Sequence, residues 1–444
     1  MELFTEMSEL YINEEINMYT NKYVLNETSQ GNRYLYSVDA KKIFQLDEET
    51  YKYLEKNINN EMMLPEVIKV NQEDKSCFEY IEFSDKNFLT IKELSKLVLV
   101  LTNDCNLNCS YCYADGGSYG FKPEYMSHQV IDQLFRFLSE NEISVKNLML
   151  FGGEPLLAME QINDVMDSIQ KYKVGINQYL MVTNFTILTD EEIDFLINKN
   201  VHITVSLDGN KIINDQLRKY KFNKNKSTFD EVKKNINRFR TAGGAIESIE
   251  STYTKKHEML NISKNDVINY IKNEFQIENI LIYDVIDKKR NDDISFTELR
   301  NDENFLDCEH LHPNDLKCIN KLFNISQHNY QICEAGNTIL TILSNGEVYP
   351  CQLLINSKFS LGNVTEPFIL NKEKTKKYNT MVNSLHSKKE CENCIARNYC
   401  TYCLYFKLNY SSQELCNLMR NGMIQDLDHI IDNRVLERLD ELIR

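Results

Sequence analysis

The sequence predicts an α/β protein: a parallel sheet of six strands with helical crossovers, set between a small α+β unit and a cysteine-rich C-terminal region. Three observations predict it. From Leu97 to about Asp287 short apolar runs alternate with amphipathic helical segments, the pattern of parallel strands joined by helices. Ten of the thirteen cysteines fall into two sets, one in the first third of the chain and one near its C-terminus. A length of 444 residues exceeds the roughly 100–200 of one compact domain and points to two or three.

Taken in order, residues 1–95 hold no clustered cysteines. Tyr34-Leu-Tyr-Ser-Val38 and Ile43-Phe-Gln-Leu46, joined by Asp-Ala-Lys-Lys, read as a hairpin. A helix is expected near Glu48 to Asn57, where Asp47, Glu48 and Glu49 suit the positive end of its dipole. The polar stretch Asn71 to Lys86 reads as a loop. Six strands follow: Leu97–Leu101, Asn147–Phe151, Tyr179–Val182, Val201–Val205, the Glu247–Tyr253 region and Ile280–Asp284. Helices are expected over Val130–Asn141, Glu160–Tyr172, Asp190–Asn198, Phe229–Arg240 and Asp266–Phe275. After residue 305 regular periodicity fades, and cysteine, glycine and asparagine take over.

Fifty Lys plus Arg against 66 Asp plus Glu give a net charge of −16, a field that repels polyanions, so no nucleic-acid partner is expected. No run approaches the roughly 20 apolar residues of a membrane span, and the acidic start MELFTEMSELYINEE is unlike a signal peptide. The expectation is a cytoplasmic protein with no membrane partner. Its cysteines are then reduced, and close spacing makes them metal or redox ligands rather than a disulfide framework.

Chemistry concentrates at the ends of the strands, where parallel α/β folds place their sites. Directly after the first strand come Cys105, Cys109 and Cys112, spaced x3 and x2. Three thiolates on one loop can hold three irons of a cubane and leave the fourth open; a zinc site would want a further Cys or His nearby, and no His follows until His128. The second strand runs into Gly152-Gly153-Glu154-Pro155, where paired glycines permit close backbone approach and a carboxylate can accept from an ammonium. Thr183-Asn184 follow the third strand, Ser206-Leu-Asp208-Gly209 the fourth, and Arg218 lies beyond. The C-terminal set is Cys333, Cys351, Cys391, Cys394, Cys400, Cys403 and Cys416; Cys77, Cys308 and Cys318 stand outside both sets.

The C-x3-C-x2-C loop after the first of six β/α units resembles the radical S-adenosylmethionine (SAM) superfamily. The resemblance implies a partial (β/α)6 barrel whose open iron chelates SAM. Within it Tyr111 matches a position near the adenine, Gly152, Gly153, Glu154 and Pro155 the site of the methionine amine, and Thr183, Asn184, Ser206, Asp208 and Arg218 positions near the SAM ribose and carboxylate. The C-terminal set resembles the seven-cysteine SPASM domain with two auxiliary [4Fe-4S] clusters, although its last internal spacing is x2 where the family commonly shows x3. By that pattern Cys391, Cys394, Cys400 and Cys416 hold one cluster and Cys333, Cys351 and Cys403 the other. Cys318 is the first candidate for the missing eighth ligand and Cys308 the second; otherwise one iron stays open for substrate. Residues 1–95 resemble the winged-helix-like peptide-recognition domain of maturases of ribosomally made peptides, which pairs a leader peptide against an exposed strand.

The organisation implied is residues 1–95 for leader recognition, 96–305 for the radical SAM barrel and 306–444 for the SPASM domain. The cofactors implied are three [4Fe-4S] clusters and SAM, cleaved reductively to a 5′-deoxyadenosyl radical. The partners implied are a precursor peptide with a leader and a flavodoxin- or ferredoxin-like electron donor. Sulfatase-maturating enzymes share this layout, but there an aspartate base typically follows the second SPASM cysteine. Here Gln352 follows Cys351, and an amide cannot deprotonate a side chain. A cysteine thiol needs least help to ionise, so an intramolecular thioether is the expected product. A carbon–carbon crosslink and a non-enzymatic iron–sulfur or zinc scaffold are the other readings.

Overall fold

The computed structural model describes residues 18–19, 22–38, 41–59, 91–284, 318, 322, 334–366, 369–386, 394–396, 399–400, 404–405 and 412–435. Cys77, Cys308, Cys333, Cys391 and Cys403, and the loop expected over Asn71 to Lys86, lie outside these. The chain divides into two compact units, one of residues 1–82, 301–333 and 382–444, the other of residues 83–300 and 334–381.

The second unit is built on the expected parallel sheet. Its six strands are β5 (Glu93–Thr102), β7 (Ser144–Gly152), β8 (Ile176–Thr183), β9 (Val201–Ser206), β11 (Ser248–Tyr253) and β12 (Ile280–Asp284), in that spatial order and all parallel. The crossovers include α2 (His128–Glu140), α3 (Met159–Tyr172), α4 (Asp190–Asn198), α6 (Thr228–Thr241) and the pair α7 (Lys255–Met259) and α8 (Lys264–Phe275). Short polar side chains cap most of them: Ser127, Thr189, Ser227 and Ser263 accept from the first turns of α2, α4, α6 and α8. Helix α3 follows a short 3-10 turn, Pro155–Ala158, whose cap is Glu154.

Two additions were not legible. A two-stranded antiparallel ribbon pairs β6 (Leu107–Cys109) with β10 (Arg218–Tyr220), the latter following helix α5 (Lys211–Leu217). On the far side of β5 the sheet continues into β13 (Ile339–Ile342), parallel to β5, and then β14 (Glu347–Tyr349) and β15 (Gly362–Asn363), both antiparallel. Regular structure therefore does not fade after residue 305, which corrects the expectation. The helix Lys372–His386 was obscured by its lysines; it docks through Tyr378, whose hydroxyl donates to the Ala335 carbonyl at 2.9 Å.

The first unit carries the expected hairpin, enlarged to an antiparallel meander of β1 (Met18–Tyr19), β2 (Tyr23–Glu27), β3 (Arg33–Ser37) and β4 (Lys42–Leu46), followed by α1 (Glu48–Asn57). Its side chains alternate between two buried faces. Tyr23, Leu25 and Leu35 pack with Tyr51 and Leu54 of α1. Val24, Tyr34, Tyr36 and Val38 pack with Cys318, Tyr399 and the stripe Met423, Ile424, Leu427 and Ile430 of the C-terminal helix Ser412–Asp432. The front and the end of the sequence thus share one core. Among the described residues no helix is long and apolar enough to cross a membrane.

Candidate functional site

The cysteine loop leaves β5 and is tied to the end of β7 by backbone alone. Gly153 N donates to Thr102 O (2.9 Å) and Glu154 N to Asp104 O (3.0 Å). A Cβ at Gly153 would fall 2.3 Å from Asp104 O, and one at Gly152 would fall 2.7 Å from Thr102 O, so neither position admits a side chain without moving backbone. The close approach those glycines serve in the structure is to the cysteine loop itself. Asp104 caps Cys105 N at 2.8 Å and pairs with Lys221 at 2.7 Å.

Cys105 is buried, while Cys109 and Cys112 are partly exposed. Leu107 N points at Cys105 Sγ (3.4 Å), and Asn184 Nδ2 reaches it at 3.7 Å while donating to Asn106 Oδ1 at 2.9 Å. The turn is closed by Cys112 N to Cys109 O at 3.2 Å. Burial, then the charge of Glu154, pushes the Cys105 thiol up to about 12; burial likewise raises Cys109 to about 11, with Arg218 pulling the other way. In the metal-free chain these thiols hold their protons, so metal binding must release them. Among the described residues no three His, Cys, Asp or Glu side chains converge as a single bound ion would require. The donor set is instead three soft ligands strung along one loop, which suits a multi-iron group bridging them.

Glu154 is almost wholly buried. Its Oε1 accepts from Thr183 Oγ1 (2.6 Å) and Leu156 N (3.1 Å), and its Oε2 from Asn184 N (2.7 Å). Burial raises its pKa to about 7 against those three hydrogen bonds. A carboxylate has about four acceptor positions, so one at Oε2 stays open to a ligand donor. Pro155 starts the 3-10 turn, and Thr183 and Asn184 are spent on Glu154 and on the cysteine loop.

The third group is Asp208, Tyr111 and Arg218. Tyr111 donates to Asp208 Oδ2 at 2.6 Å, Arg218 Nη1 donates to the Tyr111 hydroxyl and lies 3.7 Å from Asp208 Oδ1, and Thr252 N donates to that same oxygen at 3.0 Å. Asp208 is fully buried and Arg218 nearly so. Arg218 reaches this position because β10 pairs it with Cys109. Ser206 ends β9 beside Glu250 of β11, a residue that sequence reasoning missed; a lone charge inside the strand Ser-Ile-Glu-Ser-Thr-Tyr was the available signal.

Of the C-terminal cysteines, Cys351 belongs to the second unit, where it precedes the 3-10 turn Gln352–Leu354 and lies within electrostatic reach of Tyr119, as does Cys112. In the first unit Cys318 is buried in the core against which Cys394 packs, and both Cys318 and Cys400 lie within electrostatic reach of the Tyr399 hydroxyl. Cys416 sits on the C-terminal helix.

Comparison with known proteins gives two domain matches: the radical SAM superfamily over residues 99–254 and the SPASM iron–sulfur cluster-binding domain over residues 333–395. The chain is 33% identical over 141 residues to an uncharacterised protein of Methanocaldococcus jannaschii, covering 32% of this chain and spanning about half of that relative, 47%. It is 25% identical over 351 residues to a cysteine-type anaerobic sulfatase-maturating enzyme of Clostridium novyi, covering 68% of this chain and 86% of that one. It is 22% identical over 391 residues to the radical SAM cyclopropyl synthase TigE of Paramaledivibacter caminithermalis, covering 80% and 76%. Among solved structures, native anSMEcpe with bound AdoMet and a peptide superposes with a TM-score of 0.51 at 19% identity, over 76% of this chain and 99% of that one, a likeness of fold.

Proposed function

Because the chain carries a radical SAM domain followed by a SPASM iron–sulfur domain, we propose that it is a peptide maturase that installs an intramolecular thioether in a ribosomally made precursor. The observation that carries the reading is the convergence, at the ends of consecutive parallel strands, of a three-thiol loop, a buried carboxylate with one open acceptor position, and a buried Arg218–Asp208 pair. Cys105, Cys109 and Cys112 would hold the cluster; Glu154 would take the ligand's ammonium and Arg218 its carboxylate. Cluster and SAM, when bound, supply hydrogen-atom abstraction from carbon, and the chain's own part is to hold, orient and desolvate.

Several features support the finer assignments. The sulfatase-maturating relative and the peptide-bound neighbour point to a peptide substrate. Strand β4, at the edge of the N-terminal sheet among the described residues, has half-exposed and exposed side chains and offers a place for a leader strand. Gln352, following Cys351, provides no carboxylate base, which favours a thiol as the bond-forming side chain. Three clusters, one at the barrel and two in the SPASM region with Cys318 completing a ligand set, a flavodoxin- or ferredoxin-like donor and a cytoplasmic location complete the proposal.

A carbon–carbon crosslink is the second reading, favoured by the similarity to a cyclopropyl synthase. Both products lose two hydrogens, so mass does not separate them. Alkylation of the product does: a modified peptide that still reacts at every cysteine rules out the thioether. The class is tested by replacing Cys105, Cys109 and Cys112 with Ala, which is expected to abolish SAM cleavage and leave about eight irons in the SPASM set. Cleavage surviving in that variant overturns the assignment.

A further inference from the structure

Glu250 occupies the third position of β11, in register with Ser206 of β9 on one side and Leu281 of β12 on the other. Residues paired in a ladder share a face of the sheet. On that face Ser206, Glu250 and Leu281 are half-buried, whereas their neighbours Val205, Ile249 and Ile282 are buried. The Glu250 carbonyl accepts from Leu207 N at 3.0 Å, and two residues along the same strand Thr252 N holds Asp208. Glu250 therefore stands beside the Asp208–Tyr111–Arg218 group.

Its bonding differs from that of the other two acids there. Glu154 takes three donors, and Asp208 takes Tyr111 and Thr252 with Arg218 close by. Among the described residues the Glu250 carboxylate has no hydrogen bond and no ion pair; Arg218 acts on it only at longer range. Tyr113 and Tyr283 also lie within electrostatic reach. A half-buried carboxylate with no protein partner keeps its acceptor positions for a donor or cation from a ligand. Carboxylate with aromatic rings nearby is a composition that binds cations.

We propose that Glu250 binds a cationic group of the molecule held at these strand ends, beside Tyr113 and Tyr283. The cation is either the sulfonium of SAM or an ammonium or guanidinium of the substrate. The inference rests on reading this site as the SAM and substrate chamber.

The test compares the iron–sulfur-loaded enzyme with its Glu250→Gln and Glu250→Asp variants. Calorimetry follows SAM and S-adenosylhomocysteine, which lacks the sulfonium charge; saturation-transfer NMR follows n-butylammonium against n-butanol. A roughly tenfold rise in the SAM Kd of Glu250→Gln with S-adenosylhomocysteine unchanged assigns the cation to the cofactor. Unchanged binding of both, with loss of the n-butylammonium signal alone, assigns it to the substrate. In either case Glu250→Asp, which keeps the charge, should retain part of what Glu250→Gln loses. The proposal is overturned if Glu250→Gln weakens SAM and S-adenosylhomocysteine alike, or leaves SAM and n-butylammonium binding unchanged. A wild-type enzyme that binds no SAM would instead overturn the reading of the site.

Discussion

Cys109 and Arg218 face each other across a two-stranded ribbon, so the backbone of β6 and β10 sets a cation beside the cysteine loop. The ribbon is extended by Ser110 N donating to Leu217 O at 2.9 Å and Lys221 N to Asn106 O at 3.0 Å. Arg218 in turn neutralises Asp208, which has no exposure of its own.

Arg218→Met should therefore strand a buried carboxylate. The expected loss is about 3 kcal/mol, the lower end for breaking a buried pair, because Tyr111 and Thr252 still donate to Asp208. Adding Asp208→Asn should return part of it. Urea melts of the single and double variants check the coupling; strictly additive losses would show there is none.

Glu154→Gln is isosteric but should not be conservative. All three protein contacts of the carboxylate are donors, so a Gln NH2 must face a donor at one end. A loss of about 1–3 kcal/mol is expected in thermal melts, with iron content retained because the cysteines are untouched. Unchanged stability would mean the loop reorganises around the amide.

Removing residues 1–82, the N-terminal part of the first unit, should disturb more than peptide binding. The face of Val24, Tyr34, Tyr36 and Val38 covers Leu427 and Ile430, and Asp428 accepts from Tyr34 (2.8 Å) and Asn26 (2.8 Å). The truncated chain is expected to lose iron from the region of Cys394, Cys400 and Cys416 as well as turnover of a precursor. Tyr34→Phe, which leaves the packing, should cost only about 1 kcal/mol. Iron counting on both variants distinguishes a shared core from a separable appendage.

Asp132 joins α2 to α3, accepting from Lys171 (2.6 Å), Tyr172 (2.7 Å) and Arg136 (2.6 Å). The hydrogen bonds from Lys171 and Tyr172 lower its pKa to about 2. A carboxyl with a lowered folded-state pKa stabilises fully above its unfolded value near 4 and loses that contribution as pH falls through about 2. Because Lys171 and Arg136 are more than half exposed, about 1 kcal/mol is expected. The stability gap between wild type and Asp132→Asn should be level above pH ~5 and close below pH ~4, measured by chemical melts at each pH.

Local pattern made much of the fold legible. The strands at Leu97, Asn147, Tyr179, Val201 and Ile280 were readable because each is a short apolar run between polar caps and turns, and helices such as Asp190–Asn198 because Thr189 and Glu192 form a capping box. The C-terminal helix Ser412–Asp432 was not expected, because its stripe of Met423, Leu427 and Ile430 follows a region dominated by cysteines and asparagines. Strand β13 was not readable, since Ile339–Ile342 has only four residues and becomes a strand by pairing with β5, 237 positions or more away in the chain, from Leu340↔Leu97 to Ile342↔Leu99 at separations of 243.

By itself the sequence determined which residues bring chemistry: the spacing of Cys105, Cys109 and Cys112, the Gly152–Glu154 turn, and the parallel order that puts both at strand ends, because spacing and periodicity are local properties of the chain. Tertiary structure alone decided how those residues are employed. Thr183 is committed to Glu154, Tyr111 bridges Arg218 and Asp208, Gly153 receives the cysteine loop, and Glu250 is left with open acceptor positions. Hydrogen bonding and burial depend on which atoms meet across long stretches of intervening chain, as with Asn184 and Cys105 or Arg218 and Tyr111 at |i−j| of 79 and 107, and no local pattern encodes that.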